Sequence, residues 1–162
     1  MRIFIDTEFV HNDFVDMDLV SIGLVTETGL DFYAERDDFD VGMASPWVRS
    51  NVLPLLRGKD VRVMSRDGVR DAVSFWLKQF EHDKPVICYD NVVDQAMLWD
   101  LLDKQTPPWL KSANIRDRLD WNKRKQFFEQ TRLPEHHALY DAHANWFAYS
   151  SDPFARFQFL GK

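Results

Sequence analysis

Two carboxylates stand two residues apart in the first apolar segment of the chain. Asp6 and Glu8 lie within Arg2–Phe9, a stretch rich in β-branched and aromatic residues that favours a strand. Side chains at positions i and i+2 of a strand point to the same face, roughly 7 Å apart. A divalent cation between them would offset their repulsion, and Mg²⁺ prefers carboxylate oxygens. The alternative for this spacing alone is a solvent-facing acidic pair.

Two further acids and a histidine in later segments could complete such a site. Asp94 lies near the start of a predicted helix, where capping is its alternative role, and Asp90 competes with it from four residues earlier. Asp141 lies within a second predicted helix, and His136 precedes it by five residues. The two side chains converge if His136 lies on the entry turn of that helix. A histidine there could take a proton from an attacking water, and His137 is the alternative base.

Three predicted strands open the chain, and strands and helices alternate after them. The strands cover Arg2–Phe9, Leu19–Thr26, Leu30–Ala34, Pro85–Tyr89 and, as an edge strand, Asn114–Leu119. Predicted helices cover Pro46–Leu56, Val92–Leu102, Asp120–Gln130 and His137–Tyr149, and another helix begins after a cap at Ser65. Lys104–Ala113 is predicted to be a loop. Short connections favour antiparallel pairing of the first three strands. The pattern predicts an α/β fold with a mixed sheet, three antiparallel strands then parallel strands, and helices on both faces.

The composition predicts one domain over residues 1–162. Of these residues 45% are hydrophobic, which suffices for an apolar core, and one, Cys88, is a cysteine. A lone cysteine cannot form an internal disulfide, which favours a reducing, cytoplasmic location. No apolar run reaches the ~18 residues of a membrane-spanning helix. The net charge of −6 argues against a broad duplex-binding surface and leaves carboxylates available for metal ions.

The acids and the histidine together resemble the DEDDh family of 3′→5′ exonucleases, which have the ribonuclease-H-like fold. The matching positions are Asp6 and Glu8 in DTEF, Asp94 in NVVDQAML, and His136 with Asp141 in HHALYD. A closer resemblance is to small bacterial and phage exoribonucleases of the RNase AS type, which favour adenylate-rich RNA 3′ ends. It includes DTEF, LVSIG at 19–23 and WVRSNVLP at 47–54. Asp90 departs from the family pattern, in which many members carry asparagine.

The resemblance implies a metal-dependent 3′→5′ exoribonuclease that releases nucleoside 5′-monophosphates from single-stranded RNA. Two Mg²⁺ ions, with Mn²⁺ as a substitute, would be held by Asp6, Glu8, Asp94 and Asp141. In this scheme Asp6 would bridge both ions, and His136 would take the proton from the attacking water. A homodimer is also expected by this analogy.

The same resemblance suggests which residues contact the terminal nucleotide. Thr7 and Phe9 would lie beside it, and Phe9 could stack on a base, although packing in the core is equally consistent with its position. Trp47 and Arg49 are candidates because of the motif that contains them. Arg49 could meet a phosphate, or it could be a solvated helix residue.

Two other functions share these residues. A 3′→5′ DNA exonuclease would use the same acids, because the metal chemistry does not depend on the sugar. A non-catalytic nucleic-acid-binding module could keep the fold without hydrolysis. The basic run Lys123, Arg124 and Lys125 could guide RNA or could be a solvated helix face.

Overall fold

The computed structural model describes residues 1–10, 18–58 and 61–149. The strands are β1 (Arg2–Phe9), β2 (Leu19–Thr26), β3 (Asp31–Arg36), β4 (Val63–Met64), β5 (Val86–Tyr89) and β6 (Lys111–Asn114). The helices are α1 (Pro46–Asn51), α2 (Arg66–Lys78), α3 (Val92–Leu101), α4 (Trp121–Thr131) and α5 (Ala138–Tyr149). Within these ranges, none of the helices has the length and apolar character needed to cross a bilayer.

The strands form one mixed sheet in the order β4-β3-β2-β1-β5-β6. The pairs β1–β2 and β2–β3 are antiparallel, as the short connections predict. The pairs β1–β5, β5–β6 and β3–β4 are parallel. This α/β architecture is compatible with the ribonuclease-H-like fold expected from the sequence. It places β1, which carries the first two acids, in the interior of the sheet.

Alternate residues of β1 pack against different helices. Ile3 and Ile5 lie in an apolar cluster with residues of α2 and α3, including Val69, Val73, Leu98 and Leu101. Phe4 lies in a second cluster with Cys88 and with Ala142 and Trp146 of α5. Both faces of the sheet are therefore covered, and the even-numbered side chains of β1 point toward α5.

Two smaller clusters fix the helices that border the end of β1. Val48 and Val52 of the α1 region pack against Val10 and Val20. Phe127 and Phe128 of α4 pack against Ala144 and Phe147 of α5. These contacts hold α1 on one side of the end of β1 and α4 on the outer side of α5.

The prediction of an edge strand over Asn114–Leu119 is wrong. The structure places the strand at Lys111–Asn114, inside the predicted loop, and Arg116–Arg118 form a 3-10 turn. Three of the four residues of β6 are polar, and the register of the strand is set by parallel pairing with β5. Ile115 and Leu119 are buried in the second cluster, so they anchor a turn instead of alternating along a strand. Pairing with a neighbour overrides local propensity here.

Smaller differences concern the ends of elements. The helix predicted over Pro46–Leu56 ends at Asn51, and a 3-10 turn follows over Leu53–Leu55. Pro54 explains this, because it has no N–H to continue an α-helix. The third strand covers Asp31–Arg36 instead of Leu30–Ala34, and its last residues pair with β4, which the sequence did not predict.

Candidate active site

An open cleft of about 330 Å³ lies at the carboxyl end of β1. The starts of α3 and α5 and one side of α4 complete its walls. Its lining comprises Asp6, Thr7, Glu8, Phe9, Trp47, Asp90, Asn91, Asp94, Arg124, Glu135, His136 and Asp141. All four acids and the histidine that match the DEDDh pattern are therefore brought to one place.

The first two acids reach the cleft because β1 alternates its side chains. Asp6 and Glu8 share the face of β1 that Phe4 uses to pack against α5. Glu8 is buried, and Asp6 is half-buried in the floor of the cleft. An interior strand holds both carboxylates on rigid backbone.

A glycine opposite Asp6 lets α5 come close enough to supply the third acid. Gly23 of β2 pairs with Asp6, and a Cβ atom at Gly23 would lie 2.4 Å from the carbonyl group of Ala138. The first residue of α5 therefore rests directly on the β2 backbone, as glycine in a strand allows. Asp141 lies one turn later in α5, and its Oδ2 accepts a hydrogen bond from the backbone N–H of His137 at 3.1 Å.

The fourth acid comes from the first turn of α3. Capping was the alternative role for Asp94, but Asn91 is the N-cap residue and accepts a hydrogen bond from the Val93 N–H. Thr7 instead holds Asp94, because its backbone N–H and its hydroxyl donate to Oδ1 at 3.1 and 2.8 Å. The other oxygen of Asp94, Oδ2, is buried without a hydrogen-bond partner in the described part of the chain. A buried, unpaired carboxylate oxygen is costly unless a cation meets it.

The carboxylates form two overlapping groups that share Asp6. Asp6, Glu8 and Asp141 offer oxygens within 4.8 Å of one another, and so do Asp6, Asp90 and Asp94. Hard divalent cations take this type of ligand, and two such ions are commonly about 4 Å apart in phosphodiester-cleaving sites. The donor set therefore fits divalent cations, and Asp6 belongs to both groups.

In the sequence Asp90 competes with Asp94 for one role, whereas the structure places both in one group. It directly follows β5 and lies four residues before Asp94, so the end of a buried strand was the signal for it. Its Oδ1 accepts a hydrogen bond from Asn145 of α5 at 2.8 Å.

Burial makes the carboxylates of the cleft hard to ionise in the absence of a cation. Burial, followed by the charges of Asp94, Asp141 and Glu8, holds the pKa of Asp6 well above its usual range. Burial and then Asp141 and Asp94 raise the pKa of Glu8 to about 8. Burial and the charge of Asp90 raise the pKa of Asp94 to about 7. These directions all follow from desolvation and like charge, the two effects that a bound cation offsets.

Arg124 of α4 also lines the cleft. Its guanidinium forms an ion pair with Asp141, and its Nε donates to Oδ1 of Asn145 at 3.0 Å. Asn145 in turn donates to Asp90. A polar bridge thus runs from one carboxylate group to the other. Asn145 gave no signal in the sequence, because the bridge depends on residues that are distant along the chain.

The two adjacent histidines have different surroundings. His136 lines the cleft, and its ring packs edge-on against Trp47 with 4.6 Å between centroids. His136 adopts a left-handed backbone conformation, with φ 66°, at the entry of α5. His137 is buried and stacks between Tyr33 and Tyr140 at 4.4 and 4.0 Å. Burial lowers the pKa of His137 to about 4.

The four residues predicted to contact the substrate, Thr7, Phe9, Trp47 and Arg49, differ in whether their side chains are available in the cleft. Phe9 and Trp47 line the cleft, and Trp47 is 46% exposed at its edge. Thr7 also lines the cleft but is buried and engaged with Asp94. Arg49 is not brought to the cleft, because its guanidinium donates to the carbonyl groups of Val41, Gly42 and Ala44.

Comparisons with known proteins give two partial matches. No family model matches the chain. Two curated proteins of Mycobacterium tuberculosis, 3′-5′ exoribonuclease Rv2179c (strain H37Rv) and 3′-5′ exoribonuclease MT2234.1 (strain CDC 1551), are 46% identical to this chain over 56 residues. The matched stretch is 35% of this chain, and the chain spans about a third of the length of these curated relatives.

Proposed function

We propose that this chain is a metal-dependent 3′→5′ exoribonuclease with one catalytic domain over residues 1–162. The observation that carries the proposal is the pair of carboxylate groups that share Asp6. The partial similarity to proteins named 3′-5′ exoribonuclease supports RNA as the substrate. The substrate is a single-stranded RNA 3′ end, and the resemblance to the RNase AS type favours adenylate-rich ends.

The two carboxylate groups are assigned to two Mg²⁺ or Mn²⁺ ions. Asp6, Glu8 and Asp141 would hold one ion, and Asp6, Asp90 and Asp94 would hold the other. Such ions supply Lewis-acid stabilisation of phosphate oxygens and of the departing 3′ oxygen. Thr7 orients Asp94 so that its free Oδ2 faces the site, and the Arg124–Asn145 bridge orients Asp141 and Asp90.

His136 is assigned as the general base. Its ring takes a proton from a water molecule, whose oxygen then forms a bond to the terminal phosphorus. The bond from phosphorus to the preceding 3′ oxygen breaks, that oxygen takes up a proton from solvent water, and His136 releases its own proton to solvent. The products are a nucleoside 5′-monophosphate and an RNA one nucleotide shorter. Trp47 packs against the ring of His136 and fixes its orientation.

The terminal base is assigned to the two aromatic side chains that line the cleft. Phe9 and Trp47 offer faces on which any base can stack, a contact that contributes about 1–3 kcal/mol per base. Arg49 is omitted from the proposed substrate site, because its guanidinium is used by backbone carbonyl groups.

A direct hydrolysis assay tests the proposal. A 5′-labelled, adenylate-ended RNA and its DNA counterpart are incubated with the protein and Mg²⁺ or Mn²⁺, with EDTA as the chelated control. We expect a ladder that shortens from the 3′ end, faster on RNA and absent in EDTA. Faster loss of DNA would favour the DNA exonuclease. Loss of neither would favour the binding module. The homodimer expected from the resemblance stays a prediction, which analytical ultracentrifugation tests.

A further inference from the structure

An exposed indole beside the cleft carries two guanidinium groups. Trp121 is the first residue of α4 and is 47% exposed. The guanidinium carbon of Arg116 lies 5.6 Å from the centroid of its ring, and that of Arg124 lies 6.0 Å from it. Arg124 also lines the cleft, so a single side chain separates the indole from the candidate active site.

The surroundings of Trp121 are basic, in contrast to the chain as a whole. Residues 116–125 (RDRLDWNKRK) contain five basic and two acidic residues in a chain with a net charge of −6. One of the two acids, Asp120, is turned toward the backbone, because it accepts hydrogen bonds from the N–H groups of Asn122 and Lys123. In the described part of the chain, Arg116 and Arg118 lie in no ion pair with a carboxylate, whereas Lys125 pairs with Glu129 at 3.7 Å.

The basic residues of this segment could offset the repulsion between the acidic cleft and the phosphates of RNA. The cleft is lined by Asp6, Glu8, Asp90, Asp94, Glu135 and Asp141, which repel every phosphate that a metal ion does not shield. An RNA strand that enters the cleft must therefore be held by basic side chains outside the cleft. Aromatic rings interleaved with basic side chains are the usual means of holding single strands without regard to sequence.

We infer that Arg116, Trp121 and Arg124 form a binding platform for the single-stranded RNA nucleotides that precede the terminal one. In this arrangement a base stacks on Trp121 and a phosphate meets Arg116. Arg124 connects the platform to the cleft. The inference rests on the proposed function, since it extends the substrate path of the same site.

Binding measurements on short and long oligonucleotides test the platform. Fluorescence anisotropy is measured with labelled oligoadenylates of two and about seven nucleotides, with Ca²⁺ in place of Mg²⁺ to suppress hydrolysis. We expect Trp121→Ala to lower the ratio of long-strand to short-strand affinity about tenfold, and Trp121→Phe to retain most of it. Arg116→Ala should reduce the slope of log affinity against log salt by about 0.7, the value for one lost phosphate contact on a single strand.

Two matched variants control for the loss of an exposed aromatic or basic side chain. Phe75→Ala removes an aromatic ring that is 74% exposed on α2. Arg62→Ala removes a guanidinium that lies 5.4 Å from the ring of Phe32, next to β4 at the opposite edge of the sheet from β6. Neither variant should change the affinity ratio or the salt slope.

The outcomes separate the platform from the proposed function. If RNA is hydrolysed but Trp121→Ala keeps the wild-type affinity ratio, the platform is overturned and the exonuclease stands. If the wild-type protein hydrolyses no RNA but binds long strands through Trp121, the platform stands and the exonuclease fails. Equal losses with Phe75→Ala and Trp121→Ala would also overturn the platform, because they would show a non-specific effect.

Discussion

Within the described residues, two groups of aspartates lie in contrasting surroundings: one lines the cleft at the end of β1, and the other lies beside a larger groove of about 550 Å³ along α2. Beside the groove, Asp103 lies 3.0 Å from both Arg66 and Arg70. The hydrogen bond from Arg66 lowers the pKa of Asp103. In the cleft, burial and like charge raise the pKa of Asp6 and Glu8 instead.

The difference shows that cavity size does not locate the chemistry. The groove is the larger of the two, yet its acids are exposed and already neutralised by arginine, as is usual for a solvated surface network. The acids of the two carboxylate groups in the cleft are buried or half-buried, lie close together and outnumber the one arginine of the cleft lining, Arg124, which pairs with Asp141. Carboxylates are kept in such surroundings where they serve a cation or a reaction.

The strongest test of this contrast exchanges one aspartate in each place. Asp6→Asn removes the carboxylate shared by both groups and should reduce RNA hydrolysis by about a thousandfold or more, because both of the proposed ions would lose a ligand. Asp103→Asn makes the same chemical change at the groove and should leave hydrolysis within about twofold of the wild type. Initial rates on a 5′-labelled RNA measure both.

The thermal melting curves of these two variants complete the test. Asp6→Asn should melt at or above the temperature of the metal-free wild type, since it removes a carboxyl group whose ionisation is made costly by burial and by the neighbouring acids. If instead Asp6→Asn hydrolyses RNA at the wild-type rate, the cleft is not the active site. An equal loss of RNA hydrolysis with Asp103→Asn would show that the groove takes part in hydrolysis.

The adjacent histidines should separate activity from stability. His136→Ala is expected to reduce hydrolysis by about 10²–10⁴-fold, the usual contribution of a general base, while the melting temperature changes little. His137→Ala removes a ring stacked between Tyr33 and Tyr140 and should chiefly lower the melting temperature. Rates and melting curves are measured on both variants. A larger loss of hydrolysis in a folded His137→Ala would reverse the assignment of the base.

Removal of divalent ions should make the stability of the protein fall as the pH rises. The pKa of Glu8 is about 8 in the folded chain, against 4.5 ordinarily. Between these values the folded state holds a proton that the unfolded state has released, so the free energy of unfolding decreases with pH. The melting temperature in EDTA should therefore be several degrees lower at pH 8 than at pH 5. Mg²⁺ should restore it at pH 8, because it binds the ionised carboxylates.

Glu8→Gln is the matched control for this effect, since it removes the titrating group and keeps the size of the side chain. It should flatten the slope of melting temperature against pH in EDTA. The acids beside the groove should behave in the opposite sense. The lowered pKa of Asp103 contributes stability that is present at pH values above the ordinary pKa of an aspartate and is lost as the pH falls below it. A metal-free protein that becomes more stable between pH 5 and pH 8 would contradict the raised pKa of Glu8.

Much of the cleft could be predicted because its acids obey local rules. The spacing of Asp6 and Glu8 sets their common face, and the entry turn of α5 brings His136 beside Asp141. The first three strands could be predicted from their β-branched and aromatic residues and from the short connections between them. These features need only the few residues around them.

The parts that escaped prediction depend on contacts between distant residues. The bridge from Arg124 through Asn145 to Asp90 joins α4, α5 and the end of β5, and nothing near any one residue indicates it. β6 is defined by its pairing with β5. Arg49 looked suitable for a phosphate, because the sequence does not show that Val41 and Ala44 present carbonyl groups to it.

The smallest expected effect belongs to the groove. Arg70→Ala removes contacts to Asp67, Asp71 and Asp103, all of which are exposed. Exposed ion pairs contribute little, so the melting temperature should fall by no more than about two degrees, and less in high salt. RNA hydrolysis should be unchanged. A large loss of hydrolysis with an intact fold would mean that the groove contacts the substrate. In that case the balance of acids and arginines would not be enough to distinguish an active site from a surface network of ion pairs.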